Sequence, residues 1–247
     1  MKILESLSFT ETLYAFDFDG TLAPIVIQPS QAKMKERTEE LLDELSKVVT
    51  TAVISGRSLS DLKCRTVPSI RYLIGNHGLE GVDSQANFDG FKKQSQEWIQ
   101  FLEKTLIKKA QDPGLEIEEK TYSIAIHYRK SRKKRKTKNI ILEVLKEIES
   151  NSRIIPGKAV YNLVPLGGPH KGVALTQLLK VTGLNCALYI GDDDTDEDVF
   201  SLPDHRILSV RVGQKKGSAA KYYLRNQSEI DRLIRTLAEF RRDSKKN

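Results

Sequence analysis

The run Leu13-Tyr14-Ala15-Phe16-Asp17-Phe18-Asp19-Gly20-Thr21-Leu22 constrains this chain more than any other stretch. Its apolar start reads as a buried strand, and that strand ends in two carboxylates and a glycine. Side chains two positions apart in an extended chain point the same way, roughly 6.5–7 Å apart. Asp17 and Asp19 are therefore expected to face one crevice, with Gly20 turning the chain beyond them. Buried carboxylates must be paired or bind a metal. A plain strand followed by an Asp-Gly turn is the competing account of the same residues.

The rest of the chain supplies the setting. It has 247 residues with 39% hydrophobic content, enough for one large domain or two smaller ones. The net charge of +7 favours anionic partners such as phosphorylated metabolites, nucleic acid or acidic membrane. Cys64 and Cys186 are expected to be isolated, reduced thiols, which fits the cytoplasm. The N-terminus carries Glu5 and Glu11 and makes a poor signal peptide. No apolar run approaches the length of a membrane span. A soluble cytoplasmic monomer is the expectation, with no membrane partner.

The pattern then alternates. A helix is expected over 34–47 and a short strand at Thr51–Ile54 that delivers Ser55-Gly56-Arg57. Another helix starts near Ser58, and 71–75 forms a third strand before Asn76-His77-Gly78. Strand-helix alternation with polar groups at strand ends is the pattern of an open α/β sheet, where ligands bind outside the carboxyl ends of the strands. From about residue 84 the texture changes. A helix over 94–110, two alternating strands (115–118 and 122–128, each with one wet face), a helix through Ile141 and Ile148 and a hairpin over 154–161 predict an α+β insert at 84–165. Alternation returns with a helix over 170–181, strands at 187–190 and 207–210, and a last helix over 228–240. The tail RRDSKKN is expected to fray.

A second acidic cluster, Asp192-Asp193-Asp194-Thr195-Asp196-Glu197-Asp198, also follows an apolar strand. Six acids in seven positions call for a cation. Oxygen-only ligands suit Mg²⁺ rather than Zn²⁺, and EF-hand spacing is absent. Asp192 is the best ligand candidate, with Asp193 and Asp196 behind it; Thr195 with Asp198 reads as a capping box. Lys171 in a first helical turn opposes the helix dipole; it is either a solvated lysine or one held by nearby carboxylates or a bound phosphate. Ser55 and Gly56 offer a hydroxyl and backbone N–H groups to phosphate oxygens. Together these strand ends fit phosphoryl transfer, with a carboxylate nucleophile and a second acid handling protons. No Walker-type loop indicates ATP use.

DFDGT, SGR, HKG and GDDDTDED, in this order, resemble the haloacid dehalogenase-like phosphohydrolases. GDDDTDED with Val199-Phe200, together with GNHGLE (75–80), EEKTYSIAIHYR (118–129) and GKAVYNLVPLGGPHKGVAL (157–175), is similar to the trehalose-6-phosphate phosphatase branch. That resemblance implies a Rossmann-like core (1–83 and 166–247) with a mobile α/β cap (84–165). It implies Asp17 as nucleophile and Mg²⁺ ligand, and Asp19 as general acid/base and a metal ligand through its carbonyl. Thr21 is expected to position the phosphate-binding turn. Ser55, Gly56 and Lys171 are expected to hold phosphate, with Arg57 beside it. Asp192 completes the metal shell, with Asp196 in support. Glu118 and Lys120 match cap residues that contact the distal sugar, and His77 and Arg129 match positions near the substrate.

One position departs from the branch. Asn162 stands where a sugar-binding glutamate is usual, so a bidentate acceptor is lost and a neutral amide takes its place. The implied activity is hydrolysis of trehalose-6-phosphate. Sucrose-6-phosphate, glucosylglycerol-phosphate, mannosylglycerate-phosphate or a broad range of sugar phosphates are the alternative substrates. A separate reading concerns the run Arg129–Lys138, with eight positive charges, as a polyanion-binding segment. No aromatic residues interleave for base stacking, so a solvated basic helix start is expected and nucleic acid is not.

Overall fold

The computed structural model describes residues 2–81 and 88–244. The first part of the chain forms α1 (Lys2–Ser8), β1 (Thr12–Phe16), α2 (Glu36–Ser46), β2 (Thr50–Ile54), α3 (Leu59–Lys63) and β3 (Tyr72–Ile74). The middle forms α4 (Phe88–Ala110), β4 (Glu116–Glu119), β5 (Ile124–His127), α5 (Lys134–Leu145), β6 (Ser152–Gly157) and β7 (Val160–Pro165). The last part forms α6 (Lys171–Thr182), β8 (Cys186–Gly191), α7 (Glu197–Phe200), β9 (Ile207–Val212), β10 (Tyr222–Leu224) and α8 (Ile230–Ser244). These elements gather into two compact units, Met1–Val82 with His170–Asn247, and Asp83–Pro169. The boundary expected near residue 84 and the last three residues of the tail lie outside the described residues. No helix among the described residues is long and apolar enough to cross a membrane.

The first unit is built on a parallel six-stranded sheet, order β10-β9-β8-β1-β2-β3. Every neighbouring pair is parallel. Both faces are covered, which is why β1 reads as an unbroken apolar run rather than an alternating one. Tyr14 and Phe16 pack with Leu41, Leu42 and Leu45 of α2 and with Leu233, Ile234 and Leu237 of α8. Leu13 and Ala15 face the opposite way, toward Ala174, Leu175 and Leu178 of α6. Each such leucine contributes about 1.5–3 kcal/mol by leaving water. The strands after β1 lie to one side of it and those from β8 onward to the other. The carboxyl ends of β1 and β8 therefore flank the point where the strand order reverses, the place such sheets bind ligands.

The second unit is an antiparallel sheet, order β4-β5-β7-β6. Trp98, Leu102 and Leu106 of α4 and Ile141, Val144 and Leu145 of α5 pack with Ile124, Ile126, Tyr161 and Leu163. The wet face expected on β5 is confined to β4. Ile124, Ala125 and Ile126 are all fully buried, whereas Glu116, Glu118 and Glu119 are exposed. The reason is position, since β5 lies between two strands and β4 is the edge. The helix expected from Gln94 starts at Phe88, and α1 and β10 are additional elements.

Candidate active site

Asp17 follows β1, and its backbone N–H donates to Ile190 O at 2.8 Å, extending the ladder with β8 by one residue. Lys171 opens α6 and is only 2% exposed. Its ammonium donates to Asp17 Oδ1 at 2.7 Å and to Asp196 Oδ1 at 2.8 Å. These two charge-assisted bonds outweigh the ~0.3–1 kcal/mol by which the helix dipole disfavours a cation there. Burial opposes the Lys171 charge, yet Asp17 and Asp196 overcome it and raise its pKa. Burial pushes the Asp17 carboxyl well above the usual carboxylate range. Lys171 works against that rise, and the charges of Asp196 and Asp192 add to it.

Asp17, Asp192 and Asp196 are all buried, and each brings an oxygen within 4.8 Å of the others. Three carboxylates against one ammonium leave a formal charge of about −2, which a divalent cation neutralises. An all-oxygen donor set suits Mg²⁺. The three acids are not equivalent. Asp196 Oδ1 accepts from Lys171 and from Tyr189 OH at 2.6 Å, and Oδ2 accepts from the N–H groups of Asp192 and Asp193, both at 2.8 Å. That fills the four lone-pair positions of a carboxylate. Asp17 and Asp192 are the oxygens better placed to take a metal, with Asp196 bracing them. The capping box sits two residues earlier than expected, on Asp193 and Asp196 instead of Thr195 and Asp198. The strand ends at Gly191, so the helical turn begins sooner.

Gly20 is required twice over. Its φ is +87°, and a Cβ there would lie 2.1 Å from Asp192 Oδ2. The turn after β1 thus lets the carboxylate from β8 lie against bare backbone. Gly56 allows a similar approach, since a Cβ would meet the His77 ring at 2.4 Å. Ser55 is buried, and its Oγ accepts from Arg57 N–H at 3.3 Å. Thr21 is fully buried with no hydrogen-bond partner for its hydroxyl among the described residues. His77 is buried with φ +59°.

Asp19 and Asp17 have different counter-ions. Asp19 receives the guanidinium of Arg57, Nε to Oδ2 at 2.6 Å and Nη2 to Oδ1 at 2.7 Å. Arg57, expected beside a phosphate, also donates from Nη1 to Asp61 at 2.7 Å and from Nη2 to Pro29 O at 2.8 Å.

In the second unit, Glu118, Ala125 and Asn162 are cross-strand partners on β4, β5 and β7, so Glu118 and Asn162 share one face of that sheet. Glu118 Oε2 lies 2.8 Å from His127 Nε2 and 3.9 Å from Lys120 Nζ. Arg129 donates to Lys158 O at 2.7 Å. Residues 132–136 of the basic run are exposed at the start of α5.

Sequence reasoning passed over Tyr189, Asp61 and Arg211. Arg211, 6% exposed on β9, donates to Asp192 O, to Asp193 O at 3.0 Å and to Glu197 at 2.9 Å. It is a second cation serving the acidic turn. The available signal was an arginine inside the apolar strand Ile207–Val212, a place charge enters only with partners.

Comparison with known proteins agrees with this geometry. The profile of the family described as trehalose-phosphatase matches residues 15–228. Trehalose-phosphate phosphatase B of Arabidopsis thaliana is 27% identical over 98% of this chain and 70% of its own length. Probable trehalose-phosphate phosphatase 4 of Oryza sativa subsp. japonica is 30% identical over 92% of this chain and 66% of its own length. Among solved structures, the C-terminal domain of the C. albicans trehalose-6-phosphate phosphatase aligns with a TM-score of 0.80 at 25% identity, over 96% of both chains.

A parallel sheet that gathers Asp17, Lys171 and Asp192 at its order reversal, with a separate antiparallel unit, defines a haloacid dehalogenase-like phosphohydrolase. Within that class the chain belongs to the trehalose-phosphatase family, which are phosphoric monoester hydrolases.

Proposed function

We propose that this protein hydrolyses trehalose-6-phosphate to trehalose and phosphate through an aspartyl-phosphate on Asp17. The observation that carries the reading is the buried Lys171 shared between Asp17 and Asp196 beside Asp192. Asp17 attacks phosphorus and breaks the bond to the sugar oxygen. Lys171 has donated two of its three hydrogens among the described residues, and the third reaches an equatorial phosphate oxygen. Ser55 Oγ and the Gly56 N–H take further phosphate oxygens. Asp19 gives a proton to the departing sugar oxygen, then accepts one from the water that cleaves the acyl phosphate. Asp17 and Asp192, braced by Asp196, would hold Mg²⁺, and the ion would supply charge neutralisation for the phosphoryl group being transferred. Residues 84–165 act as the cap, and Glu118, Lys120 and Asn162 read the sugar.

The test is phosphate release from a panel of sugar phosphates. Trehalose-6-phosphate is expected to be preferred by more than about tenfold, roughly 1.4 kcal/mol. EDTA is expected to stop turnover and Mg²⁺ to restore it. Turnover in chelator would sink the metal-assisted mechanism.

Asn162 favours a second substrate reading, another glycosyl phosphate. The amide offers one acceptor oxygen where a carboxylate offers two. Asn162→Glu is therefore expected to lower KM for trehalose-6-phosphate by about three- to tenfold at constant kcat, the signature of a ground-state sugar contact. A change in kcat alone, or none in KM, would remove Asn162 from sugar recognition.

A further inference from the structure

We propose that Arg57 is a positioning residue that aims the Asp19 carboxylate, and is not a phosphate ligand. This rests on the phosphatase reading, in which Asp19 handles the leaving-group proton.

Asp19 stands on the turn after β1, and its side chain is 40% exposed. A carboxylate so placed has several open rotamers. A proton-transfer group must nevertheless sit within about 2.6–3.2 Å of its target. The Arg57 fork answers this by engaging both carboxylate oxygens at once, at 2.6 and 2.7 Å, which fixes the plane as well as the position of the acid.

Arg57 is itself immobilised. Its side chain is 9% exposed, and its guanidinium lies 5.3 Å from the centre of the Phe18 ring. Nη1 is tied to Asp61 Oδ2, and the other oxygen of Asp61 accepts from Arg65 Nε at 2.8 Å. Arg65 in turn donates to Ala32 O at 2.5 Å and Ser30 O at 3.0 Å. Pro29 O accepts from Arg57 Nη2. The orientation of Asp19 is thus referred back to α3 and to the loop at 29–32.

Charge and the direction of its donors argue against a phosphate role. A guanidinium has five N–H donors. Two go to Asp19, one to Asp61 and one to Pro29 O, which leaves a single Nη1 hydrogen, and the two carboxylates already balance the cation. Lys171 is the contrasting case, because it donates directly to Asp17, the residue that attacks phosphorus in the phosphatase reading.

The leaving group separates the roles. A sugar alkoxide needs a proton to depart, whereas p-nitrophenolate does not. Steady-state kinetics on trehalose-6-phosphate and p-nitrophenyl phosphate should be compared for wild type, Arg57→Ala, Asp19→Ala and the double variant. Arg57→Ala is expected to lose about 10²–10³ in kcat on the sugar phosphate, within the range of general acid-base catalysis. On the aryl phosphate the loss is expected to stay below about tenfold, and the double variant should be no worse than Asp19→Ala on the sugar ester. Equal losses on both esters, with weaker inhibition by orthovanadate, would make Arg57 a phosphate ligand and overturn the proposal. An additive double variant would overturn it too. If Arg57→Ala does not fold, Asp61→Asn tests the same point, since it loosens Arg57 without removing it. It should shift the aryl-to-sugar ratio in the same direction, by about three- to tenfold, and an unchanged ratio counts against the proposal. A wild-type protein that hydrolyses neither ester would instead refute the phosphatase reading.

Discussion

Asp17→Asn is expected to lose at least about 10⁴-fold in kcat while folding as well as the wild type, because removing a nucleophile that acts with its partners costs nearly the whole chemical advantage. The amide is isosteric and its oxygen still accepts from Lys171, so the 2.7 Å contact survives as a neutral-acceptor hydrogen bond. What is lost is the electron pair that attacks phosphorus. Stability should move the other way. Burial and the charges of Asp196 and Asp192 already penalise ionised Asp17, with Lys171 the opposing influence. Without a metal, the substitution takes one of three buried carboxylates out of a cluster that holds one cation. The melting temperature in EDTA should therefore equal or exceed that of the wild type. The rise on adding Mg²⁺ should shrink, because a ligand stabilises a fold only as far as it binds it. Residual turnover above about 1% of wild type would remove Asp17 as the nucleophile.

Much of this site was legible because strand ends advertise themselves. β1 and β8 are apolar runs that stop abruptly at Asp17 and Asp192, and carboxylates buried at such ends must be paired or bind a metal. Lys171 was legible from its place against a helix dipole. Relations between residues were less so. Sequence put Asp17 and Asp19 in one crevice as a pair, yet one binds Lys171 and the other Arg57, partners 154 and 38 positions away. Periodicity carries no information about such long-range pairing. Nothing in the sequence singled out Asp61, and only the fold shows it gripping Arg57. Tyr189 passed as one more apolar-run residue, although its hydroxyl fills a lone pair of Asp196. The wet face assigned to β5 failed for a related reason, since alternation predicts which way side chains point but not whether a strand is inner or edge.

Lys171→Met should separate the structural charge balance from catalysis most sharply. Methionine keeps an unbranched stem of similar length in a site that leaves 2% of the side chain exposed, so packing is largely retained. The charge is not. Asp17 and Asp196 lose their shared cation, and Asp192 remains alongside them. Removing one partner of a buried ion pair destabilises by about 3–5 kcal/mol, because the abandoned charge stays desolvated. In a protein of this size that corresponds to a fall in melting temperature of roughly 6–20 °C in EDTA. Asp17→Asn and Lys171→Met thus have opposite expected effects on metal-free stability, although both abolish turnover. Mg²⁺ should stabilise the Lys171→Met protein more than the wild type, as it meets three carboxylates with no competing ammonium. Lys171→Arg should not rescue activity, since a planar fork cannot place its donors where a compact ammonium bridges two carboxylates. If Lys171→Met melts within about a degree of wild type in EDTA, Lys171 does not balance that buried charge. The cation that balances it would then have to be sought in Arg211, whose guanidinium already donates to the backbone carbonyls of Asp192 and Asp193.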